Sequence, residues 1–278
     1  MKIPKCFEVL VQNGLVDEVV CQLMSGKEAE VYVVHSKGEV RCAKVYKEAS
    51  KRSFSQQAQY QEGRKVRNSR QARAMEKNSR YGRKEQEDAW QNAEVDALQR
   101  LADAGVRVPR IYNYVESVLV MELVLDAQGD AAPRLNDIRL TADEARVGHS
   151  FMMRQIVLML CAGLVHGDLS EYNVLSGSDG LVIIDLPQAI DAAGNNNASK
   201  MLFRDVGNMT AYFGRFAPEL LITDYGREIW KLYASGELSA NSALTGRFVQ
   251  SGIPADVRGV MLDIDTARIW HERYQTKS

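Results

Sequence analysis

The stretch His166-Gly167-Asp168-Leu169-Ser170-Glu171-Tyr172-Asn173, followed twelve residues later by Asp185 at the end of Leu181-Val182-Ile183-Ile184-Asp185, decides how this chain is read. A carboxylate and an amide stand five residues apart in the first stretch, and a second carboxylate closes a β-rich run in the other. Phosphoryl transfer asks for such a set: one carboxylate to receive or orient the proton of the attacking group, and oxygen ligands to hold Mg2+ against phosphates. Asp168 is assigned the first task, Asn173 and Asp185 the second. Alone, each stretch reads as a turn or a strand terminus. In this order and at this spacing the three residues are expected to meet at one site.

Upstream, Lys44 lies inside the apolar run Ala43-Lys44-Val45, where an unpaired ammonium would carry a severe desolvation cost. It therefore needs a partner; in kinases, which this pattern resembles, the partners are the nucleotide's α and β phosphates and a helix glutamate, for which Glu94 is the first choice and Asp96 the rival. Ser25-Gly26-Lys27-Glu28-Ala29-Glu30 precedes Lys44 by a distance suited to a hairpin over phosphates, which makes Ser25 and Lys27 cofactor-binding candidates. With its single glycine the segment fits neither G-x-G-x-x-G nor G-x-x-x-x-G-K-[ST].

Around these motifs the chain divides by pattern. Residues 1–21 read as a short amphipathic helical segment. From Gln22 to Tyr46 the pattern is strand, turn, strand, with Val31-Tyr32-Val33-Val34 and Cys42-Ala43-Lys44-Val45-Tyr46 flanking Ser36-Lys37-Gly38-Glu39. Trp90, Val95, Leu98 and Leu101 mark a helix stopped by Gly105 and Pro109. Ile111 to Val115 and Val118 to Val124 read as strands, and Asp126 to Pro133 as a connection between lobes. Thr141-x-x-Glu144 is a capping box opening a helix through Val147, and Phe151 to Leu164 is a buried helix. After Lys200 the chain looks mostly helical. The fold class is α+β: a β-rich first lobe over residues 22–125, carrying an insertion at 47–89, and a mainly helical second lobe over 126–278.

Composition bounds the rest. A chain of 278 residues with 45% hydrophobic content can bury a substantial core, and 35 Lys and Arg against 36 Asp and Glu leave no global charge to draw nucleic acid or membrane. Locally the balance differs. Between Lys47 and Lys84 there are 12 Lys or Arg against 3 Asp or Glu, with few large apolar residues. That segment reads either as a solvated loop over the cleft or as an arm contacting RNA or a ribosomal particle through Arg64, Lys65, Arg67, Arg70 and Arg73. Cys6, Cys21, Cys42 and Cys161 form no C-x-x-C pair, as expected of a reduced cytoplasmic protein, and Cys42 and Cys161 sit in apolar runs as core residues. The longest apolar stretch, Ile156 to Val165, falls short of the roughly 20 residues of a membrane-crossing helix, so no membrane partner is expected.

These motifs, in this order, resemble the RIO family of atypical serine/threonine kinases. The resemblance is carried by Ser25-Gly26-Lys27-Glu28-Ala29 with Val31-Tyr32, by Ala43-Lys44-Val45-Tyr46, by the Trp90-to-Leu101 helix and by Val120-Met121-Glu122-Leu123. The catalytic stretch and Ile184-Asp185-Leu186-Pro187-Gln188-Ala189 complete it. It implies a two-lobed protein-kinase-like fold without an extended activation segment, ATP and Mg2+ as cofactors, and a protein substrate or the chain itself as phosphate acceptor. Adenine would be held by backbone groups near Glu122 and Val124, with Met121 at the back of the pocket. Asp205, in Arg204-Asp205-Val206-Gly207-Asn208, would support the catalytic loop or cap a surface helix. Ala217-Pro218-Glu219 imitates a protein-kinase motif and is discounted. With few residues ahead of these motifs, the RIO branch without an N-terminal winged helix is the one expected. His-Gly-Asp followed by Asn also occurs in aminoglycoside and choline phosphotransferases, and a nucleotide-driven ATPase switch on an RNA-protein particle, with Asp185 accepting phosphate, is the reading from a different class.

Overall fold

The computed structural model describes residues 4–26, 29–47 and 80–248, with side chains described from residue 92 onward in the helix that begins at Arg80. All elements below belong to one compact unit, Met1–Gly246; Arg247–Ser278 are a second.

The first lobe is a five-stranded antiparallel sheet in the order β1-β2-β3-β5-β4, with β1 Glu18–Ser25, β2 Ala29–Ser36, β3 Glu39–Tyr46, β4 Ile111–Val115 and β5 Val118–Glu122. Period-two alternation decides what each face carries. Tyr32, Val34, Ala43, Val118 and Val120 are buried under α1 (Cys6–Gln12), where Phe7 meets Tyr32 edge to face at 5.3 Å. The register sets Lys44 opposite Val31 and Leu119, and Cys42 opposite Val33 and Met121. Lys44 therefore lands on the other face, toward α2 (Arg80–Asp103) and the second lobe.

The second lobe is built on α3 (Ala142–Cys161), α4 (Ala198–Gly214) and α5 (Tyr225–Ala234). Thr141 and Glu144 close the capping box, Glu144 N–H donating to Thr141 Oγ1 at 3.3 Å and Thr141 N–H to Glu144 Oε2 at 2.8 Å. One apolar face of α3, with Met152, Met153, Ile156 and Leu160, packs with Met201, Leu202, Met209 and Phe213 of α4 in a continuous core. Gly148 permits the approach, since a Cβ there would lie 2.7 Å from the Phe213 ring. Short ladders complete the lobe: β6 (Leu164–Val165) with β9 (Ile190–Asp191), and β7 (Val174–Gly177) with β8 (Gly180–Ile183).

The expected α+β, two-lobed architecture is what the structure has. Twelve residues, 186–197, separate Asp185 from α4, so no extended activation segment intervenes. Several boundaries differ from expectation. The N-terminal helix stops at Gln12, before Gly14 at φ +64°, and Glu18 already opens β1, so residues 18–21 belong to the sheet. Arg80 to Ala89, expected in the basic insertion, is helix: its Arg, Lys, Glu and Gln favour helix without supplying an apolar stripe. Residues 48–79 lie outside the described residues. The two helices expected between Thr141 and Leu164 are one, and β5 ends at Glu122, releasing Leu123 and Val124 from the strand. Cys42 is buried, but Cys161, at the last turn of α3, is exposed and not a core residue.

Candidate active site

Burial alone would drive Lys44 toward its neutral form. Two carboxylates override it and hold the ammonium well above its ordinary range: Nζ donates to Glu94 Oε1 at 2.6 Å and to Asp185 Oδ1 at 3.1 Å. Glu94, 2% exposed on α2, receives a second bond on its other oxygen from the Tyr46 hydroxyl at 2.8 Å. Its rival Asp96 is exposed. Asp185 follows the end of β8 in the left-handed region, at φ +66°, which a non-glycine residue adopts at a cost of order 1 kcal/mol or more. This kink swings its carboxylate out of the strand line toward Lys44, whose charge holds the Asp185 carboxyl below the ordinary carboxylate range.

The catalytic stretch is held from below. Asp205, 1% exposed, accepts from Gly167 N–H at 2.8 Å and Leu169 N–H at 3.0 Å, which confirms it as the support of the loop. Burial raises its pKa to about 6 against the pull of those bonds. Arg204 donates to Gly167 C=O, and Asn208 Nδ2 to Leu169 C=O at 2.9 Å. Gly167 takes φ +79°, open to glycine without strain. Buried His166 joins the two carboxylate-bearing segments. Its Nδ1 accepts from Asp168 N–H at 3.3 Å, leaving Nε2–H to donate to Ile184 C=O at 3.1 Å. Asn173 Nδ2 donates to Asp168 C=O at 2.9 Å, which turns its side-chain oxygen away and leaves it available as a cation ligand. Burial pushes the Asp168 carboxyl up, with the nearby charge of Asp185 adding in the same direction.

Ser25 is exposed at the end of β1, where Lys47 Nζ bonds Ser25 Oγ at 3.2 Å and Gly26 C=O at 2.7 Å and pairs with Glu30 at 3.5 Å. Lys27 lies outside the described residues. On the connection between lobes, Met121 is half-buried on β5 and Val124 is buried. Glu122 N–H is engaged by Arg110 C=O at 2.8 Å, and Val124 C=O accepts from Ala132 N–H at 2.9 Å. The Glu122 carboxylate is taken by Arg107 in a two-pronged pair at 2.5 and 2.9 Å. Burial works against that charge, but Arg107 and the Arg110 amide hold the carboxyl below its ordinary range.

Lys44, Glu94 and Asp185 are thus in direct contact, and Asp168 and Asn173 are tied to Asp185 through His166 and the Ile184 amide, which donates to Asn173 C=O at 2.9 Å. Sequence reasoning missed Tyr46, Lys47, Arg107, His166 and Arg204. Tyr46 carried a signal, since it shares Lys44's face two residues on; Arg107 carried none, because its partner is 15 residues away at the far end of the β4–β5 hairpin.

Residues 30–225 match the RIO domain profile. The chain belongs to the RIO family. The RIO-type serine/threonine-protein kinase Rio1 of Haloferax volcanii is 33% identical over 207 residues, covering 74% of this RIO chain and 67% of its own length. Serine/threonine-protein kinase rio1 of Schizosaccharomyces pombe is 30% identical over 212 residues, covering 74% and 40%. Serine/threonine-protein kinase RIO3 of Caenorhabditis elegans is 36% identical over 142 residues, covering 48% and 27%. The chain spans two thirds of the archaeal relative and two fifths of the fission-yeast one. The matched segment of this RIO chain holds Lys44, Glu94, Asp168, Asn173 and Asp185. Among the described residues no helix is long and apolar enough to cross a membrane.

Proposed function

We propose that this RIO chain transfers the terminal phosphoryl group of Mg-ATP to a serine or threonine hydroxyl of a protein, its own chain included. The observation that carries the reading is the contact of Lys44 with both Glu94 and Asp185, a cation from the sheet lobe meeting a carboxylate of the helical lobe. Lys44 would face phosphate oxygens, and the Asn173 side-chain oxygen with the Asp185 carboxylate is a hard-oxygen set suited to Mg2+. Mg2+ held there would neutralise charge on the phosphates. Asp168, kept off the Lys44 pair and raised by burial, orients the acceptor hydroxyl and takes its proton. Backbone groups of Glu122 and Val124 would face adenine, with Met121 behind it; the Val124 N–H bonds to no backbone carbonyl among the described residues.

Asp168→Ala should keep Mg-ATP binding and lose about 10²- to 10⁴-fold in turnover of ATP and of a protein acceptor. Wild-type turnover in that variant would overturn the assignment. Exposure of the Asp185 side chain, 46%, favours a second reading in which Asp185 itself takes phosphate and the protein works as an ATPase switch. Label from ATP that hydroxylamine removes, and that is absent in Asp185→Ala, would mark this second course; hydroxylamine-stable label would mark hydroxyl phosphorylation. An RNA or ribosomal partner for residues 47–84 is a proposal that rests on charge alone.

A further inference from the structure

Three arginines with described side chains are half-buried: Arg41, Arg107 and Arg134. The first two meet carboxylates, Arg41 pairing with Glu39 at 3.0 Å and Arg107 with Glu122 at 2.5 Å. Arg134 meets none among the described residues. Its Nη2 donates instead to the thioether of Met24 at 3.1 Å. A thioether is a weak acceptor, so a partly desolvated guanidinium is held there with no carboxylate in contact among the described residues.

Its position is informative. The backbone around it is fixed: Arg134 bridges Leu175 of β7, Ser176 N–H donates to Pro133 C=O at 2.9 Å, and the Tyr212 hydroxyl donates to Leu135 C=O. The arm thus rises from a rigid base in the helical lobe, and its tip touches β1 one residue before Ser25. Met24 stands opposite Val31 and Val31 opposite Lys44, so Met24 shares the sheet face of Lys44. The guanidinium, carried by the helical lobe, therefore touches the sheet face that bears Lys44, beside the segment leading into Ser25-Gly26.

We propose that Arg134 reads the phosphates of the bound nucleotide, exchanging the Met24 sulfur for a phosphate oxygen and so closing the cleft mouth. The exchange trades a neutral, weak acceptor for a charged one of the kind that guanidinium groups bind best. It rests on the nucleotide-binding reading above and adds a phosphate-specific contact to it.

Equilibrium binding of adenosine and of a non-hydrolysable Mg-ATP analogue to the full chain separates the outcomes. Arg134→Met, which keeps bulk and loses charge, should weaken the analogue about 10-fold or more and leave adenosine within about twofold. Arg134→Lys should recover part of the loss, since its charge remains and the fork is lost. Unchanged analogue binding in Arg134→Met overturns the inference while leaving the proposed function standing. An equal loss for adenosine also overturns it, because the arm would then act by packing. A wild-type protein that binds neither overturns the nucleotide reading and this inference together.

Discussion

Lys44 is a cation whose position is decided by two carboxylates pulling from different lobes. With 12% of its side chain exposed, it depends on both, and removing either leaves charge poorly compensated. Tyr46 extends the network, because its hydroxyl occupies the Glu94 oxygen that Lys44 does not use. Tyr46→Phe should therefore keep the fold and raise the KM for ATP several-fold, less than Lys44→Met does; steady-state kinetics of the pair checks the order, and an unchanged KM in Tyr46→Phe would assign Glu94's orientation to Lys44 alone. The two aspartates are driven apart in the same site: Lys44 lowers Asp185, and burial raises Asp168. A base must be unprotonated to work, so activity should fall, as pH drops, through the raised Asp168 value and therefore above the ordinary aspartate value of 3.8. A pH profile of kcat/KM with its acid limb at or below that value would contradict the role given to Asp168.

At the scale of elements, the loop between α2 and β4 joins three parts of the site through one residue. Arg107 N–H donates to Gln155 Oε1 of α3 at 2.7 Å, its C=O accepts from Ile183 N–H of β8 at 2.9 Å, and its guanidinium clamps Glu122 at the end of β5. Arg107→Met should shift the strand end proposed to face adenine and raise the KM for ATP, with kcat less affected. Glu122→Gln should do the same, and the double variant should cost less than the sum, by about 1 kcal/mol or more for a charge-assisted pair of this kind. Additive effects would show that the two residues act separately. This junction was not legible in the sequence, since its partners Gln155, Ile183 and Glu122 come from three other elements. What was legible had local chemistry: the Thr141 capping box, the β2–β3 turn, and Lys44 stranded in an apolar run. β1 escaped notice because it is an edge strand, largely exposed and bulged against β2, which erases the alternation that marks a strand. The start of α2 escaped for the opposite reason, being helix-forming residues without an apolar stripe in the sequence. Asp168, Asn173 and Asp185 were singled out as candidates by their spacing, whereas the kink that aims Asp185 and the His166 bridge needed coordinates.

Across the whole molecule, formal net charge is −1 at pH 7, and individual buried groups with displaced pKa values add their own response as the pH falls. Two of them oppose each other. His149, 1% exposed on α3, lies against the rings of Phe213 and Tyr225 and bonds Thr210 Oγ1 at 3.0 Å, and burial lowers its pKa from 6.5 to about 4. The unfolded chain therefore takes up this proton first as pH falls. The stabilising share of neutral His149 is complete above pH 6.5 and is lost progressively down to about 4, roughly 3 kcal/mol at about 1.4 kcal/mol per unit. Asp205 runs the other way: its folded pKa of about 6 exceeds the ordinary 3.8, so the native state takes its proton first and gains stability over the same window. In wild type the contributions of these two groups should consequently largely offset between pH 6.5 and 4. His149→Gln keeps a polar contact for Thr210 and removes the titration. It should be less stable than wild type at pH 7, and its deficit should shrink, or reverse, as the pH is lowered to 4.5. Denaturant unfolding of both proteins across that range measures the difference directly, and parallel curves would show that His149 is not held neutral by its burial.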